Sequence, residues 1–190
     1  MSRLRDIGQR LRPYRDVIVF AVTLLVANQL WKWMITGDET AGATEVLWLG
    51  MDVTALFDRI AQHTARVVYA MTSVFRDTLS LADGNLLRYA NGHSTRIVWA
   101  CTPVKQAFIW LCLMLTTAGE WRSKAWFIPL GWVLIYLFNI LRIFAIVLVI
   151  EAHPELFTLL HTYILKYVFY GLMFLLWVVY VERVRKPRIF

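Results

Sequence analysis

Cys101, Arg142 and His161 are the three side chains of this sequence whose chemistry could together carry out acyl transfer, with Asn139 and Lys105 placed to support them. A thiol is a nucleophile, an imidazole carries protons near neutral pH, and a guanidinium stabilises the oxyanion formed when a carbonyl is attacked. Arg142 is the most constrained of the three, because it stands inside the apolar run AWFIPLGWVLIYLFNILRIFAIVLVI, residues 125–150. A cation at the depth of such a run costs at least about 2.5 kcal/mol, so it is expected to face a polar cavity or a partner rather than lipid. Asn139, three residues earlier, shares its helical face. Pro103 is a natural first-turn residue and sets Cys101 at or just before a helix N-terminus, where the dipole and free amides favour a thiolate. Lys105 and Arg142 would add positive potential there.

Four histidines, His63, His93, His153 and His161, compete for the role of base. Topology places all four on one side of the membrane and does not choose among them; His161 gains because its helix enters the bundle. Cys112, within FIWLCLML, reads as a small buried hydrophobe. With no HExxH or CxxC spacing, no metal site and no cofactor are expected.

The elements that must position these groups are membrane helices. Of the 190 residues 59% are hydrophobic and only 17% charged, nine are tryptophan, and the mean hydropathy is +0.55, which excludes an ordinary soluble domain. The net charge of +7 gathers next to apolar segments, where topology and anionic headgroups account for it; no nucleic-acid motif accompanies it, so no nucleic-acid partner is expected. The two cysteines are poor disulfide partners and say little about redox compartment.

The sequence predicts a single polytopic, all-α membrane domain over 1–190, with about four spans. Residues 1–15, carrying Arg3, Arg5, Arg10, Arg12 and Arg15, form a basic tail that the positive-inside rule makes cytoplasmic. Residues 16–35 are the first span, retained as an anchor rather than cleaved as a signal. Residues 36–100 are expected outside the cytoplasm. Within them 53–75 have helical apolar spacing against Asp58, Arg59, His63 and Arg66, predicting one or two amphipathic helices on the outer leaflet or capping the bundle. Asn91-Gly92 predicts one small β-hairpin with a type I′ turn. The second span is 102–118, ended by Gly119, Arg122 and Lys124 on the cytoplasmic side; the third is 125–150. An outer helix and fourth span follow over 154–181, opened by Pro154, and 182–190 return a basic tail to the cytoplasm. Cys101 and His161 then lie near outer mouths, and Arg142 sits about 12 Å of helical rise below the third span's exit.

Three blocks in this order, VWACTPVKQAFIW, FNILRIFAIV and HTYILKYVFYG, together with NGHSTRIVWAC ahead of the cysteine, resemble the exosortase/archaeosortase family of membrane cysteine transpeptidases. The resemblance covers residues 84–175. Thr102 and Pro103 follow Cys101 where the family usually has Ser-Gly or Ala-Gly, and the chain is shorter than eight-span members. The resemblance implies Cys101, Arg142 and His161 as the catalytic set, in a thiol protease or transpeptidase of the bacterial inner membrane. Its partners would be exported proteins bearing a C-terminal sorting signal, made of a short motif, a transmembrane helix and a basic tail. They would be cleaved through a thioacyl intermediate and passed to an unidentified acceptor. The alternative from the residues alone is a non-catalytic membrane subunit or carrier that uses Arg142 to bind an anionic group.

Overall fold

A computed structural model of the chain describes residues 14–37, 45–75 and 79–184. The basic stretches at 1–13 and 185–190 lie outside the described residues.

Three helical segments are long and apolar enough to cross a membrane: Arg15–Met34 (α1), Trp121–Ile150 (α4) and Pro154–Val184. The last comprises a 3-10 turn at Pro154–Leu156, a π-helical stretch at Leu159–Ile164, helix α5 at Leu165–Val179 and a second π-helical stretch at Tyr180–Val184. Helix α1 buries only Phe20, Ala27 and Trp31, while Val17, Ile18, Val22, Leu25, Val26 and Leu30 are exposed. In water so continuous an apolar surface is a liability; on a helix of about 30 Å it matches the thickness of hydrocarbon.

The expected second span is shorter than its sequence suggests. Helix holds only over Val104–Thr116 (α3), 13 residues or about 20 Å, which falls short of a bilayer's hydrocarbon. Its start is set by Pro103, whose carbonyl accepts the Ala107 N–H at 2.9 Å, and by a 3-10 turn at Trp99–Cys101 that takes up the residues before it. Helix α3 packs between α1 and α4 in a core that includes Ile109, Trp110, Leu113, Phe127 and Ile135, closed by Phe169, Met173 and Trp177 of α5. Gly131 is required at the α3–α4 crossing: a Cβ there would run into the indole of the fully buried Trp110.

The segment between α1 and α3 is richer in strand than predicted. Instead of one hairpin it forms two three-stranded antiparallel sheets, β1 (Ile35–Gly37), β2 (Val46–Trp48) and β3 (Met51–Asp52), then β4 (Leu79–Ala82), β5 (Leu86–Tyr89) and β6 (Ser94–Arg96). The two-residue turn with positive φ at both positions falls at Leu49 (φ 50°) and Gly50 (φ 84°), where Trp48 faces Met51. At Asn91-Gly92, where the sequence predicts that turn, only Gly92 is left-handed (φ 88°). Gly92 N–H donates to the Tyr89 carbonyl at 3.1 Å and Tyr89 N–H to the His93 carbonyl at 2.9 Å, the pattern of a type I turn followed by a glycine bulge.

The predicted amphipathic helix is one continuous element, α2 (Thr54–Ser73), burying Phe57, Ala61, Thr64, Ala65, Val68 and Thr72. That stripe meets the second sheet and α4 through Ala65, Val68, Leu87, Ile140, Ile143 and Val147. Tyr89 Oη donates to the Val147 carbonyl at 3.1 Å and Asn91 Nδ2 to the Glu151 carbonyl at 2.8 Å. The sheet layer is thereby pinned to the C-terminal end of α4, the end that carries Asn139 and Arg142.

Candidate active site

The 3-10 turn at Trp99–Cys101 crosses α4 beside Asn139. Two of its carbonyls are engaged: Thr102 Oγ1 donates to Trp99 O at 2.7 Å, and the fully buried Asn139 donates Nδ2 to Cys101 O at 2.9 Å. One helical turn further along α4, Arg142 is buried to 9% exposure and donates Nη2 to the His161 carbonyl at 3.5 Å. The Arg142 Nε and the Asn139 Oδ1 are buried without a hydrogen-bond partner. An unmet buried donor on a charged group carries a free-energy cost, which a ligand can remove.

Arg142 opens on a cavity of about 240 Å³. Its walls are Trp31 from α1, Trp99, Ala100 and Thr102 from the turn, Lys105 and Gln106 from α3, His161 from the π-helical stretch, and Lys166 and Tyr170 from α5. Arg142, His161 and Lys105, from three separate elements, therefore share one hollow. His161 owes its place to the widened helix at Leu159–Ile164 and to its stacking on Phe157, with ring centroids 5.1 Å apart and planes 12° from parallel.

Cys101 sits differently from its partners. Ala100 and Thr102, on either side of it, form the cavity wall, while the half-buried cysteine packs against the Ile140 and Ile143 cluster. It lies within electrostatic reach of Arg142. The expectation that the helix terminus and nearby cations hold a ready thiolate is corrected: burial pushes the thiol up, against the lowering influence of a Val98 backbone hydrogen bond and of the Arg142 charge. Nucleophilic chemistry at Cys101 then needs a base to remove the proton. Cys112, expected to be buried, is half-buried on α3, where it packs against the helical core.

The remaining histidines are elsewhere. His63 Nε2 is 3.0 Å from Tyr136 Oη and stacks on that ring, His93 follows the β5–β6 turn, and His153 Nδ1 is 3.0 Å from Glu155 Oε1 on the surface. Of the four, His161 is the one that lines the cavity with Arg142. Among the described residues no group of three or more His, Cys, Asp or Glu side chains gathers to hold a metal ion.

Besides Ala100 and Thr102, which flank Cys101, five lining residues escaped the sequence: Trp31, Trp99, Gln106, Lys166 and Tyr170. Lys166 alone gave a signal, a cation inside the apolar run 154–181 five residues after His161. No acidic side chain lines the cavity among the described residues, while Lys105, Arg142 and Lys166 do. Compared with protein-family models, with curated proteins and with solved structures, the chain matches none.

Proposed function

We propose that the chain is an exosortase-like membrane cysteine transpeptidase, in which Cys101 attacks the scissile carbonyl of a C-terminal sorting signal on an exported protein. The observation that carries it is the convergence of the Cys101 turn, Arg142 and His161 on one buried hollow at one end of α4. His161 takes the thiol proton as the sulfur bonds to the carbonyl carbon. The carbonyl π electrons move to oxygen, and the resulting oxyanion is held by Arg142. Collapse of that intermediate breaks the C–N bond, the departing amine takes the proton from His161, and a thioester remains on Cys101. An amine acceptor, or water, then attacks the thioester and returns the thiol. Asn139 fixes the Cys101 carbonyl and so the turn that carries the nucleophile.

In the same proposal α3, extended by its flanking turns, crosses the bilayer as a fourth span beside the three longer helices, so that both termini are cytoplasmic, and the hollow faces the extracytoplasmic side of a bacterial inner membrane. The basic residues flanking the apolar segments support that orientation. The scissile bond of a substrate anchored by its own transmembrane helix would then meet Cys101 at the interface.

Co-expression with an exported protein ending in motif, apolar helix and basic tail tests the proposal. Cys101→Ala should stay in the membrane and leave the substrate full-length; unchanged processing removes the nucleophile and the enzyme with it. The packing of Cys101 against the core and the three cations that line the cavity favour a second reading, a non-catalytic subunit or carrier that binds an anionic group at Arg142. A thioacyl adduct trapped on Cys101 during turnover separates the two.

A further inference from the structure

Two hollows meet at Trp31. One is the cationic cavity; the other is a groove of about 360 Å³ between α1, the first sheet, α2 and α3, walled by apolar side chains such as Ile35, Leu56, Val104 and Leu111. Trp31 lines both and is held between Phe108 and Phe57, with centroid distances of 5.6 Å and 6.4 Å. At the groove's edge the Trp132 indole N–H is already satisfied by the Ala107 carbonyl at 3.1 Å. A chain lying in the groove would therefore meet hydrocarbon. At the Trp31 end it would reach Lys105, Lys166 and Arg142, in a cavity that no carboxylate among the described residues lines.

A ligand complementary to this pair has an anionic head and an apolar tail, and an apolar multi-helix protein meets such molecules in its own solvent. The acyl-transfer scheme gives Lys166 no task, and it leaves the buried Gln106 Oε1 and Arg142 Nε without partners. A phosphate diester bearing a headgroup hydroxyl answers all three: its oxygens accept from the cations and its hydroxyl donates to Gln106. We infer that the two hollows form one binding site for an anionic phospholipid, with the phosphate in the cavity and one acyl chain in the groove. The site stands whether or not Cys101 is a nucleophile.

Native mass spectrometry of the full-length chain in a neutral detergent tests it, with phosphatidylglycerol, phosphatidylcholine and glycerol 3-phosphate as probes. Phosphatidylglycerol should be retained saturably at one per chain, and phosphatidylcholine, whose ammonium offsets the phosphate, at least about tenfold less tightly. Glycerol 3-phosphate, lacking the tail, should not be retained at roughly a hundredfold higher concentration. Lys105→Gln with Lys166→Gln should weaken phosphatidylglycerol by about tenfold or more, and Leu111→Trp, which fills the groove, should weaken it as well. Equal retention of the two lipids overturns the inference, as does glycerol 3-phosphate binding as tightly as the lipid, which would mark a free-phosphate site. Displacement of the lipid by an equimolar apolar helical peptide with a basic tail would assign the groove to a peptide and overturn it too. The probe series on the unaltered chain decides the matter should either variant fail to fold.

Discussion

Helix α4 buries two cations, and they are buried in different ways. Lys124, near its N-terminal end, is 5% exposed; its Nζ donates to the Leu115 carbonyl at 3.4 Å and lies 5.4 Å from the centre of the Trp121 ring. Arg142, about 27 Å away by helical rise, is 9% exposed, holds a long contact of 3.5 Å to the His161 carbonyl, leaves Nε unmet and opens on a hollow. A lysine close to a helix end can lay its stem along apolar neighbours and bring its ammonium to a carbonyl and a ring face, so its burial is complete in itself. A guanidinium with an unmet donor at the wall of a cavity is an arrangement waiting for a ligand. Burial of a cation in an apolar helix is therefore not the mark of a site; unmet hydrogen-bonding capacity beside empty volume is.

The contrast can be broken in order of expected effect. Arg142→Gln keeps a polar side chain but removes the charge at the oxyanion position, and processing should fall by about a hundredfold or more. A fall below threefold would put Arg142 in the same class as Lys124. Cys101 alkylation by a small charged reagent should rise with pH. Because burial pushes the thiol up, the protonated form prevails at neutral pH, and the rate should climb about tenfold per unit from roughly pH 7 to 9. A plateau reached below about pH 8 would show a thiolate already formed and make the base unnecessary. Asn139→Ala removes the bond to the half-buried Cys101 carbonyl and so loosens the turn, and processing should drop roughly tenfold while the protein remains membrane-inserted. Lys124→Met, of similar length and without the charge, should leave processing within about threefold, since a buried charge replaced by a packed apolar group is often neutral. Loss of processing in that variant would show that the two cations are coupled through α4.

The parts of this architecture that were legible share one property: each is a local pattern set by solvent. The expected spans 16–35 and 125–150 fall on the helices Arg15–Met34 and Trp121–Ile150, apart from Ile35, because so long an apolar run favours helix. The α2 stripe from Phe57 to Thr72 was visible as a 3.6-residue period. What was missed depends on partners distant in the chain. The first sheet forms because Ile35 continues from α1 straight into pairing with Trp48, and its turn uses Leu49, a residue type with no preference for positive φ. Helix α3 stops at 13 residues because the Trp99–Cys101 turn, tied to Asn139 from 38 residues away, keeps Cys101 and Thr102 out of it.

The sequence by itself determined that this chain is rich in membrane-length helix and that Arg142 needs a polar neighbour, because the cost of a charge in hydrocarbon depends on composition and depth alone. Only the tertiary structure decided which histidine that neighbour would come from, that Lys166 and Gln106 share its hollow, and that the side chain of Cys101 packs behind the wall its neighbours make. Those outcomes depend on the angle at which helices cross and on where one of them widens. Neither is encoded in the spacing of any single segment.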